Sequence, residues 1–254
     1  MAGNENILEI HQLYKTFYIR GQKFEVLAGV DLTVKKGEMV AIVGASGCGK
    51  STVGTVVMRL QKPTSGELMF EGKDIFKCTD RKENLEYRRG MQIVFQDPYS
   101  SLNPKKTIRS ILSEGYLIHH TVTKGQLNDT LSLLSEKTGI SKDMWDQYPH
   151  ELDGGKRQVV GIARALSMNP KFIVCDEPVS SLDVSIQAQI LNLLQEMQEN
   201  MGLTYLFISH DLSVVRHISN RIIVMYLGKI VEICRSRELF ANPVHPYTRA
   251  LLSA

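Results

Sequence analysis

The segment that decides the fold spans nine residues and reads Gly44-Ala45-Ser46-Gly47-Cys48-Gly49-Lys50-Ser51-Thr52. A glycine, four residues and then Gly-Lys-Ser is the spacing of a loop that binds phosphate groups. Glycine lacks a Cβ, so the backbone can come close to an anion and direct its N–H groups at it. Lys50 adds a positive charge for the outer phosphates, and Ser51 offers a hydroxyl to Mg²⁺. The alternative is a glycine-rich turn that binds nothing.

The residues on either side of this loop supply the context that phosphate binding requires. Residues 39–43 form an uninterrupted apolar run of strand length, and residues 51–60 have the pattern of a helix. A strand, a phosphate loop and a helix in this order are typical of a phosphate-loop NTPase. Later buried strands alternate with helices, so we expect an α/β fold whose core is a mainly parallel sheet.

Composition places the chain among ordinary globular proteins and argues against several other classes. The 254 residues are 43% hydrophobic and 22% charged, and the formal net charge of +3 is too small to indicate nucleic acid as a partner. Four scattered cysteines without a Cys-x-x-Cys pair argue against a zinc site or a disulfide framework. We find no secretory signal and no run near the ~20 apolar residues of a membrane span. The sequence therefore predicts a cytoplasmic protein, which needs a spanning partner to work at a membrane.

Two regions depart from the alternation of strands and helices. Residues 7–40 are dominated by short strand candidates, which lie at 7–10, 25–27 and 30–34. Residues 107–147 have helical periodicity and little β-character, and they follow a segment that two prolines punctuate. We interpret this second region as a helical subdomain inserted between two β-rich parts of the chain.

Polar residues follow the predicted buried strands at their carboxyl ends, which is where open α/β sheets bind ligands. The strand 172–175 leads directly to Asp176 and Glu177. Asp176 is expected to hold Mg²⁺ directly or through water, and Glu177 is placed to polarise an attacking water as a general base. The alternative is a pair of surface carboxylates at a strand end.

Two further strand ends carry weaker signals. His210 follows the strand 203–209 and could donate a hydrogen bond to a γ-phosphate, although a histidine at a strand end is more often structural when it stands alone. Gln96 follows the strand 91–95 and could be a ligand of Mg²⁺ that reports the ion to the proline-rich segment beyond.

Taken in order, these motifs resemble those of one family, the nucleotide-binding subunits of ATP-binding-cassette (ABC) transporters, and the resemblance extends over residues 7–252. In this resemblance Gln96 is the Q-loop residue, Asp176 and Glu177 are the Walker B carboxylate and the catalytic glutamate, and His210 is the switch histidine. It also places Phe17 as the aromatic that stacks on adenine, with Val26 beside the base. The implied cofactors are ATP and Mg²⁺.

The resemblance also implies a domain plan and a signature loop. Residues 1–254 form one nucleotide-binding domain, with an N-terminal antiparallel β-subdomain. Its parts are a RecA-like core with that subdomain at 1–96 and 151–240, a helical subdomain at 97–150, and the start of a C-terminal extension at 241–254. The signature loop includes Asp153, Gly154 and Gly155, which in this family meet the nucleotide of a partner chain.

Three short segments narrow the resemblance to importer ATPases for oligopeptides, dipeptides and nickel, and within them to the dipeptide "F" type. The segments are residues 94–98, 101–104 and 242–248. The resemblance implies a second, non-identical ATPase chain as partner, two membrane permeases, and indirectly a substrate-binding protein. It implies a peripheral location on the cytoplasmic face of the cell membrane and no nucleic acid partner.

One departure from the family pattern lies in the signature, where Asp153 stands in place of the usual serine. A carboxylate there would repel a γ-phosphate, although aspartate and serine are both good N-caps, so the helix should form. If two chains share two nucleotide sites in this way, we expect the site that Asp153 completes to be weaker in ATP hydrolysis than the other. A chain that clamps ATP with little turnover of its own stays an alternative, as does a cassette ATPase that acts on DNA or ribosomes.

Overall fold

The structure is a computed structural model that describes residues 5–123 and 125–253. The strands of this part of the chain are β1 (Asn6–Ile19), β2 (Gln22–Lys35), β3 (Met39–Val43), β4 (Ser65–Phe70), β5 (Lys73–Asp74), β6 (Met91–Val94), β7 (Phe172–Asp176), β8 (Thr204–Ile208), β9 (Arg221–Tyr226) and β10 (Lys229–Arg235). The α-helices are α1 (Lys50–Val57), α2 (Arg81–Gly90), α3 (Pro98–Ser101), α4 (Ile108–Ile118), α5 (Leu127–Thr138), α6 (Gly154–Leu166), α7 (Val184–Met201), α8 (Leu212–Ile218), α9 (Ser236–Ala241) and α10 (Pro246–Ser253). Single 3₁₀ turns lie at Lys142–Met144 and Pro149–Glu151.

The first sheet is antiparallel and has the strand order β2-β1-β4-β5. The expectation of several short strands over residues 7–40 is wrong in one respect, because β1 and β2 are each 14 residues long. A two-residue turn at Arg20-Gly21, with positive φ at both residues, joins them into a hairpin. The register of the β1–β2 pair shifts at positions where the alternation of apolar and polar residues is interrupted, and the two strands continue to pair beyond these positions.

The second sheet has the strand order β10-β9-β3-β8-β7-β6, and only the edge strand β10 runs antiparallel to its neighbour. All five residues of β3 and of β8 are buried, as expected for central parallel strands covered on both faces. The α/β class, the mainly parallel sheet and the separate antiparallel sheet are confirmed. The carboxyl ends of β3, β6, β7 and β8 consequently share one edge of this sheet.

Alternation along β3 divides the core into two halves. Met39, Ala41 and Val43 pack on one face, in a cluster with apolar residues of α4 to α9. Val40 and Ile42 pack on the other face, in a cluster with α1 and the antiparallel sheet. Since side chains alternate along a strand, one five-residue strand holds both layers together.

The segment between β6 and β7 is helical, as its periodicity indicates. Apolar residues of α4 and α5 belong to the same cluster as those of α6, which places these helices on the core rather than apart from it. Within the described ranges, no helix is both long and apolar enough to cross a bilayer.

A half-buried ion pair ties β9 to the turn before β3. Arg221 donates through Nε and Nη2 to the two carboxylate oxygens of Glu38, both at 2.8 Å, and Nη2 also donates to the carbonyl of Thr33. Only 22% of the Arg221 side chain and 15% of the Glu38 side chain are exposed. The pair is bidentate and shielded from solvent, so its hydrogen bonds are stronger than those of an exposed pair.

We expect Arg221→Met to lower the free energy of unfolding by about 1.5–3 kcal/mol, because it leaves the Glu38 carboxylate without its charged partner. Denaturant unfolding of the purified chain measures this change. The control is Lys171→Met, which removes an exposed pair with Glu71 and should lower the free energy by less than about 1 kcal/mol. Equal, small losses for the two variants would contradict the structural role given to Arg221.

Candidate functional site

The phosphate loop follows β3 and is wedged between two other strands. Gly44 has a φ of +151°, and a Cβ built on it would lie 2.2 Å from the carbonyl oxygen of Met225 at the end of β9. Gly49 has a φ of +107°, and its Cβ would lie 2.9 Å from the carbonyl oxygen of Val26 in β2. At these two positions no other residue fits without moving the backbone, which accounts for the glycines of the motif.

The lysine of the motif is folded over the loop. Lys50 opens α1 and is 5% exposed, and its Nζ donates to the carbonyl oxygens of Gly44 at 2.8 Å and Ala45 at 3.0 Å. The ammonium group therefore lies at the loop, bound only to neutral acceptors in these two bonds. An anion at the loop would be a stronger partner for it than a carbonyl oxygen.

The serine of the motif meets the first carboxylate after β7. Ser51 Oγ donates to Oδ1 of Asp176 at 2.9 Å. Burial raises the pKa of the Asp176 carboxyl above its usual value, and the nearby Glu177 charge acts in the same direction. The hydrogen bond from Ser51 and the positive charge of Lys50 act the other way. Hydroxyl and carboxylate oxygens side by side are a ligand set that suits Mg²⁺.

The second carboxylate collects side chains from two neighbouring strands. Gln96, after β6, donates through Nε2 to Oε2 of Glu177 at 2.9 Å, and Nδ1 of His210, after β8, lies 3.1 Å from the same oxygen. The N–H of Glu177 donates to the carbonyl of Ile208 at 2.9 Å. Glu177 has a φ of +47°, which is uncommon for a residue with a side chain and is often found at functional sites.

A cleft of about 710 Å³ joins these groups at the carboxyl edge of the parallel sheet. Its lining consists of Val26, Gly44, Ala45, Ser46, Gly47, Gly49, Lys50, Ser51, Thr52, Gln96, Glu177, His210 and Leu251. Most of the residues that the sequence indicated for a nucleotide site thus meet in one cavity. Asp176 lies beside it through its hydrogen bond to Ser51, and Cys48 turns its thiol into the core, where burial raises the thiol pKa.

Phe17 is one predicted residue that the lining does not include. It is half-buried on β1 opposite Phe24 of β2, and Nζ of Lys15 lies 4.7 Å from the centre of its ring. One face of the ring is therefore covered by a cation.

The signature residues lie outside the cleft as well, at the start of α6. Asp153 caps this helix, since its Oδ1 accepts the N–H of Lys156 at 2.8 Å, as its residue type predicted. Its Oδ2 lies 3.1 Å from Nζ of the same lysine, and the hydrogen bond from the Lys156 N–H, with the lysine charge, lowers the pKa of Asp153. Gly154 and Gly155 follow as the first residues of the helix, and a Cβ on Gly155 would lie 2.7 Å from Ile186.

Two residues at the cleft were missed by the sequence reasoning. Tyr247 accepts a hydrogen bond from the N–H of Ala45 at 2.8 Å, and Leu251 belongs to the lining. Both residues are in α10. Tyr247 lies within the segment 242–248, from which only the family resemblance had been inferred, and Leu251 lies just after it. Nothing in that segment indicated that it folds back on a loop 202 residues earlier.

Comparison with known proteins identifies the family to which this chain belongs. Residues 27–180 match the model of the ABC transporter family. The chain belongs to this family, and as one of its ATPase domains it binds and hydrolyses ATP. It is 51% identical over 260 residues to the oligopeptide transport ATP-binding protein AppF of Bacillus subtilis (strain 168), covering 100% of this chain and 79% of that one. It is 49% identical to OppF of the same organism, named an oligopeptide transport ATP-binding protein, covering 98% of this chain and 82% of the relative.

Solved structures give the same assignment. The cbiO1 protein of Clostridium perfringens, part of the ABC transporter complex cbiONQ, matches with a TM-score of 0.82 and 30% identity, over 94% of this chain and 92% of that one. The dimeric ATP-binding cassette MJ0796, bound to ADP and Pi in a post-hydrolysis state, matches with a TM-score of 0.80 and 28% identity, over 91% of this chain and 99% of that one.

We expect Gly44→Ala to weaken ATP binding by about tenfold or more, because strain of about 1–3 kcal/mol must be relieved by moving the loop. Titration of the chain with a fluorescent ATP analogue measures the affinity. Gly161→Ala is the control, since a Cβ there meets nothing within 4 Å and alanine favours the helix in which it lies. Unchanged affinity of the Gly44 variant would contradict the wedged geometry of the loop.

Proposed function

We propose that this chain is the ATP-hydrolysing subunit of an ABC importer for di- and oligopeptides, with the cleft at the phosphate loop as its nucleotide site. The observation that carries the proposal is the meeting of Gln96, Glu177 and His210 beside the phosphate loop, each from a different strand end. Support for the cargo class comes from relatives, about 50% identical, that are named for oligopeptide transport.

The loop fits the phosphates of ATP by shape and charge. Two glycines allow the backbone to approach a ligand where a Cβ would collide, and α1 begins at the loop, so its N-terminal N–H groups are directed there. Two of the three N–H donors of the Lys50 ammonium are used on carbonyl oxygens, so the third can donate to a phosphate oxygen, at a site that already holds the charge out of bulk solvent. The residues that we assign to the nucleotide are Gly44 to Thr52, with Val26 and Phe17 at the base.

Ser51, Asp176 and Gln96 are proposed as the residues that hold Mg²⁺. The Ser51 hydroxyl and the Asp176 carboxylate are already 2.9 Å apart, and Gln96 uses its amide nitrogen on Glu177, which leaves its carbonyl oxygen as the ligand atom. When bound, the ion would neutralise charge on the outer phosphates during transfer.

Glu177 is proposed as the general base. Its carboxylate would accept the proton of the water that attacks the γ-phosphate, and two neighbours hold one of its oxygens in place. His210 is 58% exposed at the mouth of the cleft, so its ring can turn from Glu177 toward a γ-phosphate and donate to it. Val26 lines the cleft for the base, and Phe17 would stack on the base through the ring face that Lys15 does not cover.

The signature residues supply the argument for a partner chain. Asp153 begins a helix outside the cleft with 58% of its side chain exposed, so Asp153, Gly154 and Gly155 are available to a nucleotide held by another subunit. We infer a second, non-identical ATPase chain, two permeases that place the pair at the cytoplasmic face of the membrane, and a substrate-binding protein. The domain boundaries at residues 97, 151 and 241 remain part of this proposal.

We expect Glu177→Gln to lower ATP turnover of the assembled transporter by about 10²–10⁴-fold while ATP still binds, because only the proton acceptor is lost. Phosphate release and uptake of a labelled dipeptide should fall together. Exposed Glu199→Gln, on α7, is the control and should leave both rates unchanged. Small loss of turnover would favour the alternative of an ATP clamp, and uptake of nickel in place of peptide would overturn the cargo assignment.

Asp153 predicts an asymmetry between the two shared sites. We expect Asp153→Ser to raise the ATPase rate of the assembled complex, because it removes a carboxylate that would face a γ-phosphate and retains an N-cap. Asp153→Asn separates charge from shape, since it keeps both the size and the cap. An unaltered rate and ATP affinity in the two variants would show that the Lys156 ammonium, 3.1 Å away, already offsets the charge, and the asymmetry would be disproved.

A further inference from the structure

The C-terminal helix α10 lies against the rim of the phosphate loop. Oη of Tyr247 accepts a hydrogen bond from the N–H of Ala45, the second residue of the loop, at 2.8 Å. One turn further along α10, Leu251 lines the cleft itself. Helix α10 therefore contacts the phosphate loop and also forms part of the lining of the cleft.

The peptide group between Gly44 and Ala45 is held on both of its sides. Its N–H donates to Tyr247, and its carbonyl oxygen, that of Gly44, accepts from Nζ of Lys50 at 2.8 Å. Because a peptide group is planar, fixing the N–H also fixes the direction of the carbonyl. Tyr247 thus sets the orientation of the group to which the Lys50 ammonium is anchored.

Tyr247 is itself fixed by packing that does not involve the loop. Its ring lies 4.3 Å, centre to centre, from the ring of Tyr226, the last residue of β9. Adjacent to Tyr226 on that strand is Met225, whose carbonyl oxygen occupies the space that a Cβ on Gly44 would need. The tyrosine pair and the end of β9 therefore form one support beneath the loop.

A carboxylate on β10 anchors the turn that leads into α10. Glu232 accepts the N–H of Val244 through Oε1 and the N–H of His245 through Oε2, each at 3.0 Å. His245 in turn accepts the N–H of Tyr247 through Nδ1 at 3.1 Å. These bonds connect Tyr247 to the sheet, so the hydroxyl is presented to Ala45 at a defined position.

We propose that Tyr247 is a positioning residue of the nucleotide site, which orients the Gly44-Ala45 peptide and, through it, Lys50 for the outer phosphates of ATP. The inference rests on the proposed function of the cleft and assigns to the C-terminal segment a part in nucleotide affinity. Its chemical target is the polyphosphate of the nucleotide, since Lys50 and the loop N–H groups address that part.

We expect Tyr247→Phe to raise Kd and KM for ATP by about 2–10-fold, the value of one hydrogen bond, and to leave kcat of the assembled transporter nearly unchanged. The ring contact with Tyr226 is retained, so the melting temperature of the full chain should fall by no more than a few degrees. Tyr226→Phe is the matched control: it removes a hydroxyl from the other ring of the pair and leaves the bond to Ala45 in place.

A second variant removes the same hydrogen bond from the loop side. Ala45→Pro has no N–H to donate, so it should weaken ATP binding at least as much as Tyr247→Phe does, and the double variant should be no weaker than Ala45→Pro alone. Additive effects would overturn the proposal, as would an unchanged Kd for Tyr247→Phe.

Tighter ATP binding by Tyr247→Phe would also overturn it, because the hydroxyl would then compete with phosphate for the N–H. Failure of the unsubstituted chain to bind ATP is a different result. It would overturn the proposed function and the inference with it, whereas normal binding by the unsubstituted chain and by Tyr247→Phe alike overturns the inference alone.

Discussion

The close approach of the phosphate loop to the end of β9 is the constraint on which the site depends. Gly44 leaves so little space that a Cβ would lie 2.2 Å from the carbonyl oxygen of Met225, and Gly49 is similarly close to Val26 on the other side. The loop is therefore held by strands of both sheets. Its shape follows from their packing, and the packing requires glycine at two positions of the motif. Folding and phosphate binding consequently place the same demand on the sequence.

Charge in the cleft is arranged around that loop. Lys50 is buried with neutral acceptors, while Asp176 and Glu177 stand at the end of β7, where burial and repulsion from the Glu177 charge raise the pKa of Asp176. A cation held by Ser51 and Asp176 would relieve this repulsion, and a polyphosphate would satisfy Lys50. Protein side chains alone leave these charges incompletely matched, as is common where ligands supply the remaining partners.

Most of the proposed nucleotide site lies at one edge of the parallel sheet, Phe17 and Val26 come from the antiparallel sheet, and two further parts lie elsewhere. Asp153 begins α6 outside the cleft, where its charge caps a helix and pairs with Lys156, and in the proposed function the effect of that charge depends on what a partner subunit brings to it. Tyr247 reaches the loop from α10 at the other end of the chain. As proposed, the first feature would connect the site to another chain, whereas the second connects it to the C-terminal segment of the same chain.

The residue pattern alone determined the α/β class, the phosphate loop, the Asp176-Glu177 pair and the cap at Asp153, because each of these is a local matter of spacing, periodicity or side-chain chemistry. The order of the strands, the joining of short strand candidates into β1 and β2, and the contact of Tyr247 with Ala45 were decided by tertiary structure. The reason is physical: local patterns constrain neighbours along the chain, whereas strand order and a hydrogen bond across 202 residues arise only when separate apolar faces are buried together.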